Sequence, residues 1–239
     1  MEDKFDLLRD SLEELNINYE ETQIEMFIKY YEILIEWNER MNLTAITEVD
    51  EVIVKHFIDS ILICDLFDFN KDISVIDVGT GAGFPGIPLK IMNPECEMVL
   101  VDSLNKRIRF LEAVIDKLGL KRIRCIHGRA EDLARNKNLR GHFDYSLSRA
   151  VANLSTLSEY CIPFLKQGGK FISYKSDKSE DEINNSKNAV RMLGSKIISV
   201  KERELPYSDI IRKFVIIENL EKLSSKYPRK AGIPSKEPL

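Results

Sequence analysis

A run of glycines between a short β-branched segment and an apolar helical one constrains this chain most. Residues 73–78 are rich in Val and Ile and predict a buried strand, and a helix is predicted to begin near Pro85. Between them lie Gly79, Gly81 and Gly83. Glycine lets the backbone turn sharply and lets a ligand approach without meeting a Cβ, and a helix N-terminus offers free N–H groups and partial positive charge. This order of strand, turn and helix predicts a ligand site in an α/β fold.

Two further segments supply polar groups beside this turn. Asp102 ends the next predicted strand, 97–102, where a carboxylate can accept both hydroxyls of a ribose. Glu131 follows the third predicted strand and can accept from the amino group of an adenine, while a backbone N–H there donates to a ring nitrogen. Glu131 and Asp132 also suit the start of a helix, where acidic side chains complement the helix dipole, so both roles stay open.

The glycine turn alone does not decide which ligand is bound. Gly81, Gly83 and Gly86 also have the spacing of a dinucleotide-binding turn. In a nucleotide dehydrogenase the turn would face a pyrophosphate, and in a methyltransferase it would face the amino-acid end of S-adenosylmethionine. Up to this point the residues fit both ligands.

The remaining pattern alternates strands and helices. Strands are predicted at 122–126, 143–147 and 170–174, and an amphipathic helix over 105–118 ends at Gly119. Such alternation predicts a parallel sheet with right-handed crossovers. Two later strand-like runs lie too close together for a helix between them and predict an antiparallel hairpin at one sheet edge. These runs are residues 197–200 and 213–217. A Rossmann-like, mostly parallel α/β sheet that ends in a hairpin resembles the class I S-adenosylmethionine-dependent methyltransferase fold.

The chain divides into three predicted parts. Residues 1–67 contain neither Gly nor Pro and carry apolar side chains at helical spacing, interrupted at 42–44, so we expect a helical N-terminal cap. Residues 68–220 form the predicted α/β domain. Residues 221–239 are basic and contain three prolines, so we expect irregular structure from Ser224 onward.

Composition narrows the classes of protein that fit. The net charge of −4 excludes a global positive field, so any contact with nucleic acid needs a local basic patch. The four cysteines and three histidines are scattered, so we expect no disulfide framework and no metal site. No apolar run reaches the roughly 18 residues that a membrane span needs, and the N-terminus lacks the pattern of a signal peptide. We therefore expect a cytoplasmic protein without a membrane segment.

Short motifs along most of the chain resemble one known family. Residues 79–89 form the most specific motif, because they combine the glycine turn with a Phe-Pro-Gly-Ile-Pro extension. The other motifs are residues 41–46, 55–60, 102–107, 148–150 and 227–232. With these motifs in order, the chain resembles the bacterial small-subunit (16S) ribosomal RNA guanine-N7 methyltransferases, also called the methyltransferase G or glucose-inhibited division protein B family.

This resemblance implies S-adenosylmethionine as the cofactor and a set of contacts to it. Carried across, the family's contacts fall on Gly79, Phe84, Ala130, Glu131 and Arg149. Asp102 is added from the general methyltransferase pattern, and Gly81 belongs to the same glycine turn. The resemblance names no catalytic group.

The implied reaction is methyl transfer to N7 of guanine in ribosomal RNA. N7 carries a lone pair on the major-groove edge of the base and needs no deprotonation, so the protein's task is positioning. For RNA contact we expect Lys175 at the end of the fifth strand, together with Arg229 and Lys230 in the basic tail. Combining Arg229→Ala with Lys230→Ala is expected to weaken RNA methylation and spare cofactor binding. We expect a monomer.

Two other functions fit parts of this sequence. An NAD-dependent oxidoreductase would use a related sheet, but the terminal hairpin and the lack of a recognisable Tyr/Lys or His relay argue against it. A non-catalytic RNA-binding assembly factor that keeps a cofactor pocket is the second, and the intact pocket residues argue against it. Titration with S-adenosylmethionine and NADH distinguishes an oxidoreductase from a methyltransferase. Methyl transfer onto isolated RNA or particles distinguishes a non-catalytic assembly factor from a methyltransferase.

Overall fold

The computed structural model describes residues 2–69, 72–149 and 151–239. The motif 148–150 is described as far as Arg149, and Ala150 lies outside the described residues. Within these ranges, none of the helices is both long enough and apolar enough to cross a membrane.

Within the described part of the chain, seven strands form one sheet. In chain order they are β1 (Ser74–Val78), β2 (Glu97–Asp102), β3 (Ile123–His127), β4 (Phe143–Arg149), β5 (Leu165–Ser176), β6 (Ser195–Glu204) and β7 (Ile211–Asn219). Their spatial order is β3-β2-β1-β4-β5-β7-β6. Neighbours from β3 through β5 are parallel, whereas β7 is antiparallel to both β5 and β6. The parallel sheet with a terminal hairpin confirms the predicted architecture.

Helices precede the sheet and separate its strands. The N-terminal region contains α1 (Asp6–Glu14), α2 (Glu21–Met41), α3 (Val49–Val52) and α4 (Asp59–Ile61), with a π-helical stretch, Ile53–Ile58, between α3 and α4. The later helices are α5 (Gly86–Met92), α6 (Asn105–Leu118), α7 (Ala130–Leu133), α8 (Leu154–Cys161), α9 (Glu180–Met192) and α10 (Ile233–Lys236).

Two hydrophobic clusters cover the two faces of the sheet. One joins the N-terminal helices to the sheet and includes Phe27, Phe57 and Leu100. The other packs α8 and α9 against the opposite face and includes Leu157 and Val99. Val99 and Leu100 are consecutive in β2 and belong to opposite clusters, because side chains alternate across a strand. Both faces are therefore buried, as a parallel sheet requires, and the N-terminal helices share a core with the sheet. The three-part division of the chain stays a prediction.

Two predicted helix ends are confirmed, and each has a backbone cause. α2 begins with a capping box formed by Glu20 and Gln23 and ends at Asn42, which has a left-handed φ of 49°. α6 ends at Gly119, with φ of 66°. Glycine and asparagine tolerate this conformation better than other residues, so both positions stop a helix.

The prediction of irregular structure from Ser224 onward is wrong in part, because α10 lies in this stretch. Gly232, with φ of 84°, turns the chain into the helix. Pro234 lies in its first turn, where proline removes no needed hydrogen bond and its fixed φ suits the helix. Prolines therefore exclude a helix only where they fall beyond its first turn.

The close approach of α5 to β2 at Gly86 gives a test of this packing. A Cβ at position 86 would lie 2.3 Å from Leu100 Cδ2 and 2.9 Å from Asp77 Oδ2. Gly86→Ala is expected to lower the free energy of unfolding in urea by about 2 kcal/mol, because it overpacks a buried contact. Gly168→Ala is the control, since a Cβ there meets nothing within 4 Å and the left-handed backbone alone costs about 1 kcal/mol. A loss no larger than that of the control would contradict the close approach.

Candidate functional site

The turn after β1 is held against the end of β2 by backbone hydrogen bonds. The amides of Gly79 and Thr80 both donate to the carbonyl of Val101, at 2.9 and 3.1 Å. Gly79 has φ of 75°, and a Cβ there would lie 2.6 Å from Val151 Cγ2. Position 79 therefore needs glycine both for its backbone conformation and for the closeness of Val151.

A buried carboxylate ties this turn to the start of α5. Asp77 accepts from the hydroxyl of Thr80 at 2.7 Å and from the amide of Gly86 at 2.9 Å. Complete burial raises the pKa of Asp77 to about 6, while these two hydrogen bonds and the nearby Arg149 guanidinium act in the opposite direction. Asp77 thus fixes both ends of the glycine turn from within the core.

The expectation that free N–H groups of the helix N-terminus face a ligand is wrong. The amide of Gly86 donates to Asp77, and the amide of Ile87 donates to the carbonyl of Gly83 at 2.7 Å. The amide of Gly81 is also used within the protein. At these positions the turn can serve a ligand by the closeness of its backbone, not by N–H donation.

Asp102 lies at the end of β2, beside the glycine turn. Its carboxylate accepts from the amide of Gly81 at 3.0 Å, the amide of Leu104 at 2.8 Å and the guanidinium of Arg107 at 3.3 Å. These three donors fix the orientation of the carboxylate. Because a carboxylate has about four acceptor sites, Asp102 retains capacity for a further donor such as a hydroxyl.

A cleft of about 480 Å³ opens where β1, β2 and β4 end. Its volume falls in the range of small-molecule sites, and its position is where ligands bind in open α/β sheets, outside the carboxyl ends of strands at a reversal of strand order. The structure brings every predicted cofactor-binding residue to this cleft. These residues are Gly79, Gly81, Phe84, Asp102, Ala130, Glu131 and Arg149.

The N-terminal region supplies a wall of the cleft that sequence reasoning missed. Leu43, Thr44 and His56 line it. The His56 ring stacks on Phe84 with centroids 4.4 Å apart and an interplanar angle of 20°, and its Nε2 lies 2.8 Å from Thr44 Oγ1. These residues belong to family motifs, but nothing in the motifs shows that they reach the glycine turn.

Arg149 lies between an aromatic ring and a buried carboxylate. Its guanidinium carbon is 5.1 Å from the centre of the Phe84 ring, and its terminal nitrogen is 2.7 Å from Asp59 Oδ2. Asp59 also accepts two hydrogen bonds from Arg212, at 2.6 and 2.8 Å. Because buried charges are stable only when paired and hydrogen-bonded, this cluster fixes the position of Arg149 beside the cleft.

Glu131 lines the cleft and is also held by the C-terminal segment, which we define as residues 227–239. The residue is 4% exposed, and its Oε1 accepts from the amide of Gly232 at 2.8 Å. α7 begins at Ala130, which agrees with the helix start predicted for this segment. The amides of Asp132 and Leu133 donate to the carbonyl of Arg129, so the amides of Ala130 and Glu131 at the start of the helix are the ones that can donate to a ligand. The adenine contact stays a prediction.

The three predicted RNA-contacting residues lie outside the lining of the cleft. Lys175 is 9% exposed, and its ammonium lies 2.6 Å from the carboxylate of Glu182. Arg229 pairs with the buried carboxylate of Glu159 at 2.7 Å, whereas Lys230 is exposed. Lys175 and Arg229 would have to leave internal partners to reach a phosphate, so we carry the RNA contact forward only for Lys230.

His56 predicts a pH dependence of stability. Burial, and after it the Arg149 guanidinium, lowers the pKa of His56 from 6.5 to about 4. Between these two pH values the unfolded chain binds a proton that the folded chain does not, so the free energy of unfolding falls as the pH is lowered through this window. The raised pKa of Asp77 opposes this fall in the same window, so the test compares variants. In urea titrations at pH 7 and pH 4.5, the fall in the free energy of unfolding is expected to be smaller in His56→Gln than in the wild type. His142→Gln, which replaces an exposed histidine, is the control with the wild-type fall, and an undiminished fall in His56→Gln would contradict the assignment.

Known proteins match this chain along most or all of its length. The family model described as GidB, rRNA small subunit methyltransferase G, matches residues 23–211. Ribosomal RNA small subunit methyltransferase G of Alkaliphilus metalliredigens is 47% identical over 239 residues, which cover 100% of both chains. The protein of the same name from Clostridium kluyveri is 49% identical over 240 residues, which cover 99% of each chain.

Solved structures share the fold at low identity. M. jannaschii TYW2, in complex with AdoMet, aligns with a TM-score of 0.51 and 19% identity over 63% of this chain and 71% of its own. The antibiotic-resistance methyltransferase Kmr aligns with a TM-score of 0.51 and 14% identity over 62% of this chain and 87% of its own. These structural similarities confirm the class I methyltransferase fold, and at such low identity they show the fold alone. The family match and the full-length relatives confirm the resemblance found in the sequence, and the chain belongs to the GidB family, the rRNA small subunit methyltransferases G.

Proposed function

We propose that this protein transfers the methyl group of S-adenosylmethionine to N7 of a guanine in the 16S RNA of the small ribosomal subunit. The family to which it belongs consists of S-adenosylmethionine-dependent methyltransferases of small-subunit ribosomal RNA. The observation that carries the proposal is the cleft, because every cofactor position implied by the family lines it, although these positions come from distant parts of the chain.

The residues of the cleft fit an adenosine-containing cofactor. Asp102 has acceptor capacity for a ribose hydroxyl beside the turn, and Glu131 has a second carboxylate oxygen that can accept from an adenine amino group. Gly79 and Gly81 both have left-handed φ values, of 75° and 63°, and place no Cβ at these two positions of the turn. Arg149 supplies a fixed positive charge beside Phe84. We propose that these residues hold the cofactor.

The chain's own contribution to the reaction is positioning. When bound, S-adenosylmethionine supplies a methyl group on a positively charged sulfur. Guanine N7 presents a lone pair without losing a proton, so the residues of the cleft need to bind, orient and exclude water but not to move a proton. His56 suits this task, because its lowered pKa keeps the ring neutral at pH 7 and stacked on Phe84.

Small-subunit ribosomal RNA is the substrate, and we infer that one chain acts on it in the cytoplasm as a monomer. The N-terminal region and the sheet of the same chain line the cleft, and its C-terminal segment holds the lining residue Glu131, which supports action by one chain. Lys230 is the proposed contact to RNA phosphate in the C-terminal segment. Its exposed ammonium makes no internal ion pair among the described residues, so it can reach a phosphate at little ordering cost.

Methyl transfer to isolated small-subunit RNA and particles tests the proposed reaction. The wild-type protein with methyl-labelled S-adenosylmethionine is expected to label 16S RNA, and strand cleavage specific for N7-methylguanine is expected to map the label to a guanine. RNA transcribed with 7-deazaguanosine is the matched control, because it lacks the accepting nitrogen and is expected to take no label. Label retained in the 7-deaza RNA would contradict N7 as the acceptor.

Asp102→Ala tests the proposed cofactor site without RNA. Loss of a hydrogen bond to a charged group costs about 1.5–3 kcal/mol, so the Kd for S-adenosylmethionine is expected to rise roughly 10- to 100-fold in calorimetric titration. Asp132→Ala is the control, since Asp132 is exposed and lies outside the lining of the cleft. An unchanged Kd in Asp102→Ala would remove Asp102 from the cofactor site.

A further inference from the structure

The C-terminal segment is anchored on α8 by a buried carboxylate. Glu159 is fully buried, and all its described hydrogen bonds come from Arg229. The Arg229 backbone amide donates to Oε1 at 2.6 Å, its Nε donates to Oε1 at 3.0 Å, and its terminal nitrogen donates to Oε2 at 2.7 Å. Charge-assisted bonds of this forked kind fix both the position and the orientation of the arginine.

Further polar contacts hold the segment on both sides of Arg229. Arg140 donates to the carbonyl of Tyr227 at 2.8 Å, and the buried hydroxyl of Thr156 donates to the carbonyl of Pro234 at 3.0 Å. Arg229 itself donates to the carbonyl of Glu237 at 2.7 Å. These contacts together fix the path of the segment's backbone across α8.

This path brings the segment to the wall of the cleft. The amide of Gly232, three positions after Arg229, donates to Oε1 of Glu131. Glu131, a lining residue, thus depends on a segment that itself lies outside the lining.

We propose that Arg229 is a positioning residue for the cofactor, and that its ion pair with Glu159 holds Gly232 where the amide orients the Glu131 carboxylate. The inference rests on the proposed adenine contact of Glu131. It reverses the expectation that replacing Arg229 spares cofactor binding, because Arg229 then supports the cofactor site and only Lys230 contacts RNA. Replacing Arg229 leaves the Glu159 carboxylate buried and unpaired, which favours release of the segment.

Calorimetric titration of the full-length protein with S-adenosylhomocysteine tests the inference in the absence of RNA. Arg229→Ala is expected to raise the Kd roughly tenfold, the effect of losing one hydrogen bond to a charged group. Lys230→Ala removes the neighbouring charge without touching Glu159, so its Kd is expected to match the wild type. Arg229→Lys keeps the positive charge but cannot form the paired hydrogen bonds of a guanidinium, so its Kd is expected to lie between those of the wild type and Arg229→Ala. This variant provides the measurement if Arg229→Ala does not fold.

Coupling to Glu131 separates positioning from a general loss of stability. Glu131→Gln is expected to raise the Kd by itself, and adding Arg229→Ala to it is expected to change the Kd by less than about twofold, because both changes act through one contact. S-inosylhomocysteine gives a second readout, since it replaces the adenine amino group by an oxygen. The preference for the adenine compound is expected to fall in Arg229→Ala, whereas a purely structural loss would weaken both ligands equally.

Three results would overturn the inference. One is a wild-type Kd in both Arg229→Ala and Arg229→Lys, and another is additive losses in the double variant. The third is an unchanged Kd in Glu131→Gln, which would remove the adenine contact itself. Methyl transfer to RNA by the wild-type protein is measured separately, so none of these results touches the proposed reaction.

Discussion

The cleft depends on one backbone carbonyl, that of Val101 at the end of β2. It accepts from the amides of Gly79 and Thr80, so the chain that leaves β1 bends directly across β2. Because β1 and β2 are parallel and paired in register, the turn and Asp102 come to the same edge of the sheet. The hydrogen bond from Gly81 to Asp102 follows from this placement. Without this bend, the glycine backbone would not lie beside the Asp102 carboxylate.

The elements that can be predicted from the sequence are those with a local cause. Helix α6 follows from its apolar period and from Gly119, and the β6–β7 hairpin follows from the short spacing between two strand-like runs. Strand lengths are less predictable. The strand expected at 170–174 spans Leu165–Ser176, because its backbone pairs with β4 and β7 beyond the apolar residues that mark it in the sequence.

Convergence of the cofactor positions could be predicted because parallel strands bring their carboxyl ends to one edge. The internal partners of these residues could not. Gly232 reaches Glu131 across 101 positions, and Arg212 reaches Asp59 across 153. Neither periodicity nor a motif encodes which distant residues meet. A linear pattern therefore shows that Arg229 is a cation, but not that a buried carboxylate already holds it.

The cluster around Asp59 has a consequence for the descent of this chain. Asp59 joins α4 to β4 and β7 through Arg149 and Arg212. Losing Asp59 would cost about 3–5 kcal/mol, because both guanidinium groups would lose their carboxylate partner, whereas losing one arginine leaves Asp59 paired with the other. Substitutions of Asp59 are therefore expected to persist during evolution only together with substitutions of its arginine partners.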